Sequence, residues 1–168
     1  RRVARIFPSH VVAWMLAVPV FYAILPVAAP DWVRAVDPVA LTLSFVLLQG
    51  WSTVPLILFA GNPAAWTLTC EFFFYSFHPF VQQVLKRMTL RRTLVAGVVV
   101  VAVALSYRAS AWALEGTWWS ALPVPIERAP EFLLGMCIAW AFRQGWRPKV
   151  PVALAIAIMA VVVGVIAV

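Results

Sequence analysis

Thr67, Glu71, Tyr75, His78 and Gln82 recur every three or four residues within one short stretch of this 168-residue chain. That spacing is the period of a single helix face. It puts a carboxyl, a phenol and an imidazole on one side of one helix, a set suited to moving protons as general acids or bases. The intervening positions are Leu68, Phe72, Phe73, Phe77, Phe80 and Val81. A carboxylate inside such an apolar helix is expensive unless it is paired, solvated or protonated. The stripe is therefore expected to turn toward a bundle interior or a water-filled cavity, with Glu71, Tyr75 and His78 as candidate catalytic residues. The same spacing also suits hydrogen bonding between helices with no chemistry attached. For His78 alone, placed just before a proline, a packed and hydrogen-bonded imidazole is the competing reading. Pro79 cannot donate to the Tyr75 carbonyl, so a kink is expected there.

Two further stretches carry charge in a useful pattern. In Glu127-Arg128-Ala-Pro130-Glu131-Phe-Leu-Leu-Gly135, Pro130 suits a first helical turn and the carboxylates suit the positive end of the helix dipole. Arg128 and Glu131 are spaced to pair. The stretch reads as a charged helix start or as the lining of a site, with Arg128 and Glu131 as candidate substrate-binding residues. In Arg1-Arg2-Val-Ala-Arg5-Ile-Phe-Pro8-Ser-His10, Arg2 and Arg5 are placed to clamp a phosphate together, or only to anchor topology. His10 is expected at the interface. Two His and two scattered Cys do not make a metal site, and no metal is expected. Cys70 and Cys137 sit in apolar runs and read as core filler. Phosphate-loop, dinucleotide, C-x-x-C and H-E-x-x-H patterns are absent.

The elements that must hold these residues are apolar to an unusual degree. Hydrophobic residues make up 64% of the chain and charged ones 11%, and mean hydropathy is +0.95. One water-soluble core of this size cannot hide that excess. The composition argues against a soluble globular enzyme, a disordered tail or a disulfide-stapled module, and for an all-α, polytopic transmembrane bundle. The net charge of +7 comes from cations clustered between apolar runs, which is the positive-inside pattern and not a nucleic-acid surface. Five spans are expected, over His10–Ala29, Trp66–Leu85, Leu94–Ser106, Phe132–Phe142 and Val152–Val168. Charge parity places Arg1–Arg5, Lys86–Arg92 and Arg143–Lys149 on the cytoplasmic side of the plasma membrane, and the Tyr107–Ile126 loop outside. Between the first two spans, Asp31–Ala65 holds only short apolar pieces broken by Gly50, Pro55, Gly61 and Pro63. It is expected to re-enter or lie at the outer interface. A true span over Val39–Phe59 is the second choice.

Three segments, in order, resemble motifs of the acyltransferase 3 family of integral membrane O-acyltransferases. R-x-x-R followed by I-x-P is similar to Arg2-Val-Ala-Arg5-Ile-Phe-Pro8. W-[ST]-L-x-x-E-x-x-[FY]-[FY] is similar to Trp66-Thr-Leu68-Thr-Cys-Glu71-Phe-Phe-Phe74-Tyr75. [RL]-x-P-E-F-L-x-G is similar to Arg128-Ala-Pro130-Glu131-Phe132-Leu133-Leu-Gly135. The resemblance runs from Arg1 to about Trp146. It implies a bundle of about ten helices, of which residues 1–168 would be one truncated domain. It also implies transfer of an acyl group, often acetyl, from cytoplasmic acyl-CoA to a hydroxyl of a sugar, a surface polysaccharide or a secondary metabolite, with no resident cofactor. On that resemblance Arg2 and Arg5 meet the CoA phosphates, Glu71 sits in the transfer cavity and Trp66 helps to shape it. The family's catalytic His precedes R-x-x-R, and neither His10 nor His78 matches it. The 168 residues alone are therefore expected to be inactive. The alternative drawn from the residues themselves is a secondary transporter whose intramembrane Glu and His relay protons.

Overall fold

The computed structural model describes residues 3–24 and 36–149. Within them the chain is helical, with no strand. Helix α1 covers Val3–Ile24 and contains Pro8 and Pro19. A broken segment follows. Helix α2 covers Pro38–Phe45, capped by the Asp37 carboxylate, which accepts from the Val39 and Ala40 amides, with Pro38 in the first turn. Just past its end Leu47 takes φ 60°. The Leu48 amide reaches back to the Leu43 carbonyl and closes the helix end. A 3-10 turn at Gln49–Trp51, helix α3 at Pro55–Leu58 and a second 3-10 turn at Pro63–Ala65 complete the segment.

Helix α4 then runs unbroken over Trp66–Lys86, through Pro79. Helix α5 covers Leu90–Ala113, with Thr89 accepting from the Arg92 amide at its start. After a 3-10 turn at Trp118–Ser120 come α6 at Val124–Glu127 and α7 at Ala129–Arg143. The main packing pairs are α5 with α7 and α4 with α6 and α7, with the Gln49–Trp51 turn wedged between α4 and α6.

Several expectations need adjusting. Among the described residues one helix, Leu90–Ala113, is both long and apolar enough to cross a membrane. Helix α4 has the length but carries the polar stripe, and α7 at 15 residues covers only about 22 Å. Helix α5 continues through Ala113, so the first part of the expected Tyr107–Ile126 loop is helical. A single span over Val39–Phe59 is absent. Helix α2 has 8 residues, about 12 Å, and stops just before Leu47 turns left-handed. The expected run Val152–Val168, and the end of His10–Ala29, lie outside the described residues.

The basic loops after α4 and after α7 meet at one end of the α5–α7 pair. There the Gln144 side-chain amide donates to the Met88 carbonyl at 3.0 Å. At the opposite end Arg108 reaches Glu127 at 3.1 Å.

Candidate functional site

Helix α4 presents a different neighbour on each side. Toward the broken segment, Phe73 meets the Trp51 ring edge-on at 5.2 Å, and Thr69 lies against Gly50. A Cβ on Gly50 would come within 2.9 Å of the Thr69 Cβ, so only glycine permits this approach. Toward α7, Phe74 stacks on Phe132 with ring centres 4.7 Å apart, and His78 faces the same ring at 6.5 Å. Arg128 is near enough to Cys70 for the two to interact electrostatically. On a third side, Leu68, Phe72 and Tyr75 share a small cleft with Ile6 and Phe7 of α1 and with Leu47. At about 10 Å³ the cleft is no larger than one water molecule.

Glu71 falls in the sector left over. The helix turns about 100° per residue, so Glu71 lies between Cys70, which faces α7, and Phe72, which faces α1. Its side chain is exposed, as is Thr67, and the Tyr75 hydroxyl donates to Glu71 Oε2 at 3.3 Å. Of the two places expected for the polar stripe, the packed interior does not take Thr67 or Glu71. The interior takes Thr69 and Cys70 instead. These side chains are small and let the neighbouring backbone approach, whereas burying an unpaired carboxylate would cost far more than it returned. Glu71 thus lies on an exposed side of α4, between Phe72 on the α1 side and Cys70 on the α7 side.

Arg128 and Glu131 pair as their spacing suggests, at 2.7 Å. The Glu131 carboxylate pushes the Arg128 guanidinium above its ordinary pKa, with further help from Glu127. Among the described residues no hydrogen bond or ion pair joins Glu71 to His78, Arg128 or Glu131. Trp66 starts α4 half-buried. Arg2 and the side chain of Arg5 lie outside the described residues, though the backbone of Arg5 belongs to α1 and leads directly to Ile6 at the cleft.

One buried polar set was not anticipated. His10, expected at the interface, is 2% exposed, and its Nε2 lies 3.2 Å from the Phe45 carbonyl. Since a carbonyl only accepts, the proton sits on Nε2, and Nδ1 is buried without a partner. Gln49 is 0% exposed with both side-chain polar atoms unpartnered, as are the hydroxyls of Ser44 and Thr69. The available signal was a lone glutamine beside glycine at the end of an apolar run. That pattern marks an odd residue without saying which way it points.

Comparison with known proteins adds a class. The chain is 30% identical over 162 residues to a protein named acyltransferase MdmB from Streptomyces mycarofaciens. The match takes in 88% of this chain and 40% of that protein, so the chain spans less than half of the relative's length. The likeness suggests acyl transfer in general terms. No protein-family model matches the sequence, and no solved structure does.

Proposed function

We propose that the chain is part of a membrane-embedded O-acyltransferase of the acyltransferase 3 type, which moves an acyl group from cytoplasmic acyl-CoA to an acceptor hydroxyl. The observation that carries this reading is the meeting of three separate motif segments on α4. Ile6 and Phe7 share a cleft with Phe72 and Tyr75 of α4, and Phe132 stacks on Phe74 of the same helix. These segments are far apart in the chain, and a mere helix-packing domain has no need to gather them on a helix with an exposed carboxylate. The likeness to a protein named as an acyltransferase supports the same class.

In the proposed reaction the acceptor oxygen attacks the thioester carbonyl, the C–S bond breaks, and the CoA thiolate leaves. A base must take the hydroxyl proton. The resembled family uses a His for this, which no residue of this chain matches. Glu71, hydrogen-bonded to Tyr75, would orient or polarise the acceptor. Arg2 and Arg5 would hold the donor's phosphates at the start of α1, and Arg128, fixed by Glu131, would line the site. Holding both reactants in one site replaces an encounter in solution with a local step.

The test is acetyl transfer from acetyl-CoA by the full-length protein in vesicles. Glu71→Gln, and Arg2→Ala with Arg5→Ala, should abolish turnover while membrane insertion is unchanged. Wild-type turnover by Glu71→Gln would remove Glu71 from the reaction. Proton-coupled flux without any acyl-CoA would favour the transporter reading instead.

A further inference from the structure

Seven cations collect at one end of the α5–α7 pair: Lys86, Arg87, Arg91 and Arg92 from one loop, and Arg143, Arg147 and Lys149 from the other. The Gln144–Met88 hydrogen bond ties the two loops together. Among the described residues none of the seven pairs with a carboxylate, since both ion pairs there involve Arg108 and Arg128. All seven are exposed. Arg143 lies over the Trp140 ring and Arg147 over Phe142, so two guanidinium groups are held against the end of α7 rather than left to wander. Arg147 also donates to the Phe142 carbonyl.

From this rim an apolar groove of about 360 Å³ opens between α5 and α7. Thr93 and Trp146 stand at its basic end, Gly97 and Cys137 lie along it, and Val98 and Val101 form one wall. Among the described residues nothing covers Val98, which is 70% exposed although it lines the groove. In the chain, Arg92 and Arg147 are the immediate neighbours of its lining residues Thr93 and Trp146. Anion-binding groups beside a lengthwise apolar slot between two helices match a molecule with an anionic head and a hydrocarbon chain.

From this arrangement we infer that the α5–α7 groove holds one anionic phospholipid of the surrounding bilayer, its phosphate on Arg92 and Arg147 and one acyl chain along Gly97–Val101. This rests on the membrane-spanning reading above. That reading fails separately if alkaline carbonate releases the protein from membranes, and the lipid measurement needs no turnover.

The test uses full-length protein, purified and delipidated in a non-ionic detergent, and titrated with dioleoylphosphatidylglycerol or dioleoylphosphatidylcholine. Bound lipid is counted by native mass spectrometry. One phosphatidylglycerol should bind per chain, at least tenfold tighter than phosphatidylcholine. Arg92→Gln with Arg147→Gln should weaken it roughly thirtyfold, the effect of two interfacial cations. Val98→Trp fills the slot from its exposed wall without touching the α5–α7 contact, and should weaken phosphatidylglycerol by about tenfold with the cations intact. Equal binding of the two lipids would overturn the inference. So would undiminished binding to Val98→Trp, which would reduce the site to surface charge. Displacement of bound phosphatidylglycerol by acetyl-CoA would also overturn it, by assigning the groove to the acyl donor.

Discussion

The two flanks of α4 solve opposite problems. On one side the segment from Asp37 to Ala65 breaks into two short helices and two 3-10 turns, and it buries Ser44, Gln49 and Gly50. On the other side α4 meets α7, which in turn packs on α5, one 24-residue helix whose apolar window is only 6% buried. A long helix satisfies its own backbone and needs a partner along one face only. A broken segment leaves amides and carbonyls to be matched by caps and by close contacts. That is why caps at Asp37 and Asn62 and a glycine pressed against Thr69 crowd into the broken flank. The α5–α7 flank instead offers apolar surface and open grooves. Polar chemistry gathers between the flanks, where α4 turns Glu71 toward neither.

Substitutions can break or sharpen this contrast. The largest effect should come from Glu71→Gln in the full-length protein, with kcat/KM for the proposed acetyl transfer down by at least about 100-fold, the cost of misplacing a reactant. Because Glu71 is exposed, thermal unfolding in detergent should be unchanged. Next, Gly50→Ala should destabilise by about 1–3 kcal/mol, since its Cβ would press on Thr69. A neutral result would show that the broken flank is looser than its contacts imply.

Gln49→Met should stabilise by about 1 kcal/mol by removing a buried amide without partners. A loss of stability there would reveal a polar partner for that amide and turn the broken flank into a hydrogen-bonded site. In α7, Gly135→Ala has open space around it and should stabilise by about 0.5–1 kcal/mol, the reverse of Gly50→Ala. The smallest effect is Arg108→Gln. It breaks the ion pair with Glu127, but 79% of the Arg108 side chain is exposed, so a change within about 1 kcal/mol is expected by thermal melt.

Much of this arrangement is written in the residue pattern. The polar period of Trp66–Gln82 specifies a helix carrying Glu71 and Tyr75 four apart, and those two side chains do bond. Arg128 and Glu131 pair for the same local reason. Pro130 announces a helix start, because a preset φ acts within one turn. Leu47 was illegible, since no leucine advertises a left-handed φ, and so the end of α2 could not be read. His10 was misplaced because a histidine near a helix start looks the same whether it meets water or the Phe45 carbonyl.

Composition and helical period, then, were enough for an all-helical chain, for the residues that share α4's polar face and for the local pairs within a turn of each other. Those are properties of neighbours a few residues apart. Tertiary packing alone decided which face of α4 is covered, that Phe132 stacks on Phe74, and that Glu71 is left exposed. Those outcomes depend on contacts between segments tens of residues apart. Small side chains at Gly50, Thr69 and Cys70 let such contacts form, and periodicity cannot say which neighbour will arrive.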